Sequence, residues 1–464
     1  MGKSYRPYYP DEDLLLPPSL RDWLPEKHLA YFVSDVVDHL DLSAMDAVYG
    51  NEKRGQPPYD PQMMTKVLVY GYCVGVFSSR RIERRLVEDI AFRVLGAGNQ
   101  PNFRTISDFR KIHLKTLEGL FEQVLKIALE AGAMKVGRVA VDGTKVKANA
   151  SKHKAMSYDR MKEKEKDLKA EVKQLLEQAE AADAEEDAAC GKDQRGDELP
   201  AELERRETRI KKIREAKRAL EARAREKAAA EGADPKETKP KEKDQYNFTD
   251  PESRIMKGAD GFVQAYNAQA AVEPDLQLIV GQTVTQAAND KEQLLPMVEV
   301  MEQQSGQRPE EILADSGYGS EKNLEALDSE ENPERRIDGY VATERQSHGE
   351  YKEPCPRGPL PKGATRVDRM RRKLKTKAGK AVYATRKAIV EPVFGQIKQA
   401  RGFRQFLLRG IDKVRGEWSL VCLTHNLLKI YRLCYEQNRR NRAAKPRRII
   451  LAGSIRACFP HMNH

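Results

Sequence analysis

The sequence has few cysteines, and none of them is paired at the short spacing of a zinc site. Six cysteines are spread over 464 residues. Their positions exclude a zinc-ribbon pattern and a disulfide-dense scaffold, and we expect a reducing compartment. The six are Cys73, Cys190, Cys355, Cys422, Cys434 and Cys458.

Long apolar runs are also missing. The most apolar stretch, residues 67–77, is shorter than the roughly 18 residues that a membrane-spanning helix needs. The first residues, Met1 to Arg6, contain no apolar signal core. We therefore expect a cytoplasmic protein without a membrane partner.

Charge, in contrast, is abundant and biased toward the positive sign. Charged residues make up 33% of the chain, and 82 Lys and Arg face 71 Asp and Glu, which gives a net charge of +11. A pI near 9.1 favours an acidic polymer as partner. The bias alone is weak evidence because many basic surfaces are merely solvated. The length allows two or three domains, each with its own core.

Residues 26–131 are predicted to be helical because apolar residues recur at helical spacing. One helix opens at Ser78 or Ser79 and carries three arginines on a shared flank. Such a flank is typical of a helix-turn-helix-like reader of duplex DNA, but a helical bundle with a solvated basic side fits equally well. The three are Arg81, Arg84 and Arg85.

A second helix of this region is expected to begin at Thr105. Thr105 and Asp108 resemble a capping box with Asp in place of Glu. The helix then runs toward Leu129 and stops by Gly132. His113 is predicted to lie on its surface.

From Gly137 the pattern changes to strands. Residues 138–146 form a β-branched run with Asp142 within it, and residues 261–272 and 276–285 read as an antiparallel pair. Asn289 or Asp290 is expected to cap the helix that follows. Further strands are predicted at 311–314 and 339–342.

Residues 151–246 form an insertion rich in Lys, Glu, Ala and Arg. Two apolar stripes separated by a polar turn predict an antiparallel helical hairpin. The alternative is a solvated charged spacer. A role in clamping DNA or in dimerisation is conceivable but not favoured. The stripes are Leu168, Val172, Leu175, Leu176 and Ala179, and Leu203, Ile210, Ile213 and Leu220.

Three acids stand at the ends of elements or on a helix. Asp142 and Asp315 each follow a β-branched or apolar run, and Glu391 lies within a helix predicted at 386–399. Lys398 follows Glu391 by about two helical turns, so the two share one face. Carboxylates suit magnesium or manganese. Because the acids are far apart in sequence, a shared metal site requires tertiary structure.

These residues resemble the Asp-Asp-Glu transposases of bacterial insertion sequences, and in particular the group marked by Tyr, Arg, Glu and Lys around the third acid. The resemblance covers most of the chain. Residues 61–113 look like the N-terminal helical domain of that group, and residues 417–429 look like its closing helix.

The resemblance implies an α/β fold with a ribonuclease-H-like mixed-sheet core. The N-terminal helical DNA-binding domain would span residues 1–135, and the core residues 136–150 and 247–432. The helical hairpin at 151–246 would be inserted into that core, and residues 433–464 would form a basic tail that touches DNA nonspecifically or stays solvated.

The resemblance also implies a site and its partners. Asp142, Asp315 and Glu391 would be catalytic and would hold two Mg²⁺ (or Mn²⁺) ions, with Asp142 as the shared ligand. The DNA partners would be the terminal inverted repeats of the element and its target, bound by a homodimer in the bacterial cytoplasm at the nucleoid.

The DNA-contacting cations differ from the family pattern in one respect. The family arginine lies four residues before the glutamate, whereas here Lys387 holds that position and Arg386 lies one residue earlier. The sequence leaves open which of the two faces the DNA. Lys398 would hold phosphates of the scissile end. Tyr383 would stack on a flipped base or serve in helix packing.

The resulting function is DNA cleavage at the element ends followed by strand transfer. Two alternatives remain: a metal-dependent nuclease or resolvase without strand transfer, and a DNA-binding protein with a degenerate site. Histidine chemistry is not favoured, because His425 lies in an apolar helix, where a packing role is expected.

Overall fold

The computed structural model describes residues 19–49, 57–190, 201–230, 232, 234, 238–258, 261–328, 335–344, 355–356, 358–361 and 363–436. Seven helices come first: α1 (Leu29–Asp38), α2 (Ser43–Tyr49), α3 (Pro61–Cys73), α4 (Ser79–Glu88), α5 (Ile90–Leu95), α6 (Phe103–Ile112) and α7 (Leu114–Glu130). The helical prediction for this region is confirmed.

The helix boundaries around residue 105 differ from the prediction. Asn102, and not Thr105, caps α6, because its side chain accepts from the backbone N–H groups of Arg104 and Thr105. The helix ends at Ile112, and α7 starts at Leu114 as a separate helix. His113 lies at this junction. It is buried, and its Nε2 is 2.8 Å from the Tyr49 hydroxyl, so the predicted surface position is wrong.

A mixed six-stranded sheet follows. Its strands are β1 (Arg138–Lys147), β4 (Arg254–Gly258), β5 (Gly261–Val272), β6 (Ile279–Thr285), β7 (Glu311–Ala314) and β8 (Asp338–Val341). β5 pairs antiparallel with β1 along one edge and with β4 and then β6 along the other. β1, β7 and β8 run parallel. All predicted strands are present, with ends shifted by a few residues at most.

The remaining helices surround this sheet. They are α10 (Leu294–Ser305), α11 (Glu321–Leu327), α12 (Arg366–Lys375), α13 (Lys377–Gly395) and α14 (Ile411–Tyr431). A π-helical turn, Gln396–Ala400, extends α13, and a second one, Arg432–Glu436, extends α14. Of the basic tail predicted at 433–464, residues 433–436 belong to this second turn, and residues 437–464 lie outside the described residues.

The helical hairpin is present between β1 and β4. It consists of α8 (Tyr158–Cys190) and α9 (Ala201–Ala230), with the short strands β2 (Ala155–Ser157) and β3 (Gln245–Asn247) paired at its base. Salt bridges between Glu171 and Arg206 and between Glu165 and Lys217 show that the two helices run antiparallel. The hairpin has its own small core of Tyr158, Met161, Leu168, Ile210, Ile213, Ala216 and Leu220.

One hydrophobic core joins the N-terminal helices to the sheet. α14 lies between them and packs against α3 and α7 on one side and β6 on the other. This explains why α14 is buried almost all round, including Trp418 and His425. The His425 Nε2 is 3.0 Å from the Gln277 carbonyl, and burial lowers its pKa to about 3, so the predicted packing role is confirmed.

Candidate active site

Two of the three predicted acids lie side by side where the pairing of the parallel strands β1 and β7 ends. Asp142 lies within β1, which continues to Lys147 in pairing with β5. Val141 of β1 pairs with Ala314 of β7, so Asp142 and Asp315 follow at the same level of the sheet. Each carboxylate accepts a backbone N–H at 2.8 Å, from Gly143 and Gly317 respectively. The sheet register therefore brings two carboxylates together from distant parts of the chain.

The electrostatics of this acid pair follow from its position. Burial, together with the negative charge of Asp315, raises the pKa of Asp142 to about 6. Two carboxylates that repel each other in a partly buried place favour a positive charge between them. The pair is therefore poised to take up a cation.

Arg386 of α13 supplies one such charge. Its Nη1 lies 3.1 Å from Asp142 Oδ2, and the residue is only 7% exposed. Lys387, the next residue, is exposed. Of the two candidate cations, the arginine faces the acid pair. The half-buried Tyr383, one turn earlier, interacts electrostatically with Arg386.

Glu391 is not brought to the acid pair. It lies on the exposed side of α13, and within the described part of the chain it makes no hydrogen bond or ion pair. Accordingly, no group of three His, Cys, Asp or Glu among the described residues is arranged to hold a metal ion. The helix that carries Glu391 nevertheless packs on β1, β7 and β8.

Lys398, on the π-helical turn after α13, reaches the strand that carries Asp142. Its Nζ donates to the Thr144 hydroxyl at 2.5 Å and to the Lys145 carbonyl at 2.8 Å. Burial, with the nearby charge of Lys145, lowers its pKa to about 8. This ammonium has no carboxylate partner among the described residues, which leaves its charge available for an anion.

A third acid lies near the pair, and its sequence context does not indicate this position. Asp290, in the loop between β6 and α10, accepts from Asn267 Nδ2 and Gln269 Nε2, each at 2.6 Å, and pairs with Lys145 at 3.5 Å. It is not the helix cap predicted for it, because α10 starts after Gln293 without a side-chain cap. An acid just before a helix usually signals a cap, and no local signal points to the sheet.

Because Gly143 has no side chain, the Asp290 carboxylate can approach the backbone of β1 at this position. A Cβ at this position would lie 2.3 Å from Gln269 Nε2, 2.6 Å from Asp290 Oδ1 and 2.9 Å from Asn267 Oδ1. A larger residue at this position therefore requires that the ends of these three polar side chains move.

We expect Gly143→Ala to destabilise the protein by about 1–3 kcal/mol, because the added methyl group displaces Gln269 and Asp290 from their hydrogen bond. The matched control is Gly137→Ala, immediately before the same strand. There a Cβ would meet only Glu310 Oε2, at 3.9 Å. Thermal unfolding of the two variants under identical conditions checks this, and equal melting temperatures would contradict it.

The arginine flank predicted on α4 is exposed. Arg85 pairs with Asp89 at 3.4 Å and Arg84 with Glu88 at 4.0 Å, both one turn away on the same side. Arg81 is exposed beside them. The flank is far in sequence from the acid pair, and its role in reading DNA stays a prediction.

No helix among the described residues is both long and apolar enough to cross a membrane.

Two family models match the chain. Residues 18–112 match a transposase domain (DUF772), and residues 361–431 match a transposase DDE domain. The second match contains Arg386, Glu391 and Lys398, whereas Asp142 and Asp315 lie outside both. No curated protein and no solved structure matches the chain. The two domain matches support a DDE-type transposase, which acts on DNA.

Proposed function

We propose that this chain is the transposase of a bacterial insertion sequence. It binds the terminal inverted repeats of its element, hydrolyses the end phosphodiester and uses the freed 3′-hydroxyl to attack target DNA. Both steps are in-line phosphoryl transfers and use one site. A homodimer on DNA remains the expected assembly.

The observation that carries the proposal is the acid pair. Asp142 and Asp315 directly follow the last paired residues of the adjacent parallel strands β1 and β7, so they lie at the same level of the sheet, and a transposase domain match covers the helix packed against them. The mixed sheet with its antiparallel β5 and β6 beside parallel β1, β7 and β8 is consistent with a ribonuclease-H-like core.

The donors at the acid pair fit Mg²⁺ or Mn²⁺. Carboxylate oxygens are the ligands these ions prefer, and Mg²⁺ in enzymes of phosphoryl transfer is often held by one or two carboxylates plus substrate phosphate. Asp142 and Asp315 would hold the ion, which would activate the attacking oxygen and stabilise the leaving one. A second ion requires Glu391, and we propose that Glu391 approaches the pair when DNA is bound.

The cations around the acids would position the DNA. Arg386 orients the Asp142 carboxylate through their 3.1 Å contact. Lys398 would contact a phosphate oxygen, because an ammonium attracts phosphate and repels a divalent ion.

The test uses the full-length protein and DNA that flanks its gene. Footprinting identifies the protected end, and a duplex with that end is then assayed with Mg²⁺ or Mn²⁺ for cleavage and, precut, for joining to a plasmid. Cleavage and joining together are the expected result. Cleavage without joining of precut ends would leave a nuclease or resolvase, and binding without either reaction would leave a DNA-binding protein.

The same assay compares the two neighbouring cations of α13. We expect Arg386→Ala to reduce cleavage by about tenfold or more, because it removes a charged hydrogen bond to a buried carboxylate. Lys387→Ala should change cleavage by less than about threefold, because Lys387 is exposed. The reverse ranking would mean that α13 rotates when DNA binds.

A further inference from the structure

A groove with an exposed aromatic ring lies beyond the far end of the strand that carries Asp142. It has a volume of about 350 Å³ and is lined by Lys147, Ala148, Ala150, Lys152, Phe262, Val263, Gln264 and Gln405. No lining residue is acidic. We call it the Phe262 groove.

Phe262 stands out among the described side chains. It is 63% exposed at the start of β5, the highest exposure of any large hydrophobic side chain in the described part of the chain. An aromatic ring that is exposed to solvent beside two lysines contributes little hydrophobic burial to the stability of the fold. Such rings commonly serve as stacking platforms for bases that are not paired.

The charge of the groove matches a nucleic-acid backbone. Lys147 and Lys152 are exposed and form no ion pair within the described residues. Gln405 also lines the groove, and its side-chain N–H₂ donates to the Ala148 carbonyl at 3.1 Å. Two free ammonium groups around one aromatic ring are the elements of a single-strand site, since the lysines take phosphates and the ring takes a base.

The groove lies at the far end of the strand that carries Asp142. Lys147 lies five residues after Asp142 on β1, or roughly 17 Å along the strand. Arg404 bridges the interval: its Nε donates to the Lys398 carbonyl, and its own carbonyl accepts from the Lys147 N–H, each at 3.2 Å. Cations therefore run from Lys398 past Arg404 to the groove. In duplex DNA the same distance is about five nucleotides.

We propose that the Phe262 groove binds an unpaired nucleotide of the DNA strand that passes the acid pair, with the base stacked on Phe262 and the backbone held by Lys147 and Lys152. The inference rests on the proposed function for the identity of the DNA. It adds a contact that favours frayed or overhanging ends over fully paired ones.

The experiment measures affinity with metal-free, full-length protein, so that no cleavage occurs. The probes are two fluorescent duplexes of random sequence, one blunt and one with a five-nucleotide single-stranded overhang. Wild type should bind the overhang duplex at least about fivefold more tightly, because stacking of one base on an aromatic ring changes affinity by that much or more. Phe262→Ala should remove this preference while changing blunt-duplex affinity by less than about twofold.

Two further sets of variants separate stacking from misfolding and from charge. Phe262→Trp should retain the preference, because tryptophan offers a larger stacking face. Phe248→Ala is the matched control: Phe248 is 36% exposed but lies outside the groove, and it should leave both affinities unchanged. Lys147→Ala and Lys152→Ala should weaken binding to both duplexes and each lower the salt slope by about one.

The inference is overturned if wild type shows no preference for the overhang, or if Phe262→Ala weakens binding to both duplexes equally. Failure of the proposed function looks different. If the protein prefers the overhang through Phe262 but never cleaves its element end, the groove proposal is supported and the proposed transposase function is contradicted. If the protein cleaves its element ends but Phe262→Ala does not change the overhang preference, the transposase function is supported and the groove proposal is contradicted.

Discussion

Replacing Asp142 or Asp315 with Asn should lower DNA-end cleavage by several orders of magnitude, because each change removes an oxygen ligand of the ion on which the proposed phosphoryl transfer depends. DNA binding should stay within about threefold of wild type, since the basic surface is unchanged. The measurements are single-turnover cleavage and duplex affinity for each variant.

The Asp142→Asn variant carries an internal check on folding. The folded-state pKa of Asp142, about 6, lies above its ordinary value of 3.8. Ionisation of this group therefore opposes folding, and the cost is fully present above pH 6 and disappears below about pH 4. At pH 7.5 Asp142→Asn should melt no lower than wild type. A clear drop in melting temperature would mean that lost cleavage reflects unfolding.

Glu391→Gln tests the one acid that lies apart from the pair. Were Glu391 to join Asp142 and Asp315 on DNA, its loss should match theirs in cleavage. The exposed Glu325 of α11 provides the control, because Glu325→Gln leaves the acid pair untouched. Near wild-type cleavage by Glu391→Gln would remove Glu391 from the site and leave the two aspartates to act with other groups.

The acid pair shows what the sequence predicts well. β7 has the predicted bounds, 311–314, and β1 differs from its prediction by one residue. Both are short β-branched or apolar runs, in which local preference and burial favour the same structure. Two aspartates that follow paired residues of neighbouring parallel strands are expected to lie close together, and the pairing of Val141 with Ala314 places Asp142 and Asp315 at the same level. The sequence does not indicate that β1 continues past Asp142 as far as Lys147 in pairing with β5.

The rest of the site depends on packing between distant elements. Asp290 reads as a cap from its local context, but Asn267 and Gln269 of β5 bind its carboxylate instead. Likewise, neighbouring residues 386 and 387 are both cations, and only the rotation of α13 on the sheet decides which is buried. Local patterns carry no information about either contact.

A second large effect is expected at Glu417, whose carboxylate lies inside the core. Glu417 is fully buried, and its Oε2 accepts from the backbone N–H groups of Leu407 and Leu408 at 2.9 and 3.0 Å. Its Oε1 accepts from the Tyr72 hydroxyl at 3.2 Å, and that hydroxyl accepts from Arg110 at 3.0 Å. This network ties α3 and α6 to α14.

Glu417→Ala should destabilise the protein by about 3–5 kcal/mol, because it leaves the Tyr72 hydroxyl and two backbone N–H groups without their acceptor and removes the negative charge near the buried Arg110. Glu417→Gln should cost less, since an amide oxygen still accepts from the backbone. Thermal unfolding of the two variants checks the ranking. Asp412→Ala on the same helix is the control, because the Asp412 side chain is 92% exposed and its loss should shift the midpoint little.

Glu417→Ala should also weaken the DNA binding proposed for the Phe262 groove. Leu407 and Leu408 belong to the segment that includes Gln405 and lies beside the end of β1, where the Phe406 N–H donates to the Lys147 carbonyl at 2.9 Å. Without Glu417 this segment loses its anchor, so overhang binding in the Phe262 groove should weaken more than blunt-duplex binding. Unchanged overhang preference in a folded Glu417→Ala variant, combined with a lowered melting temperature, would show that the network stabilises the core without shaping the groove.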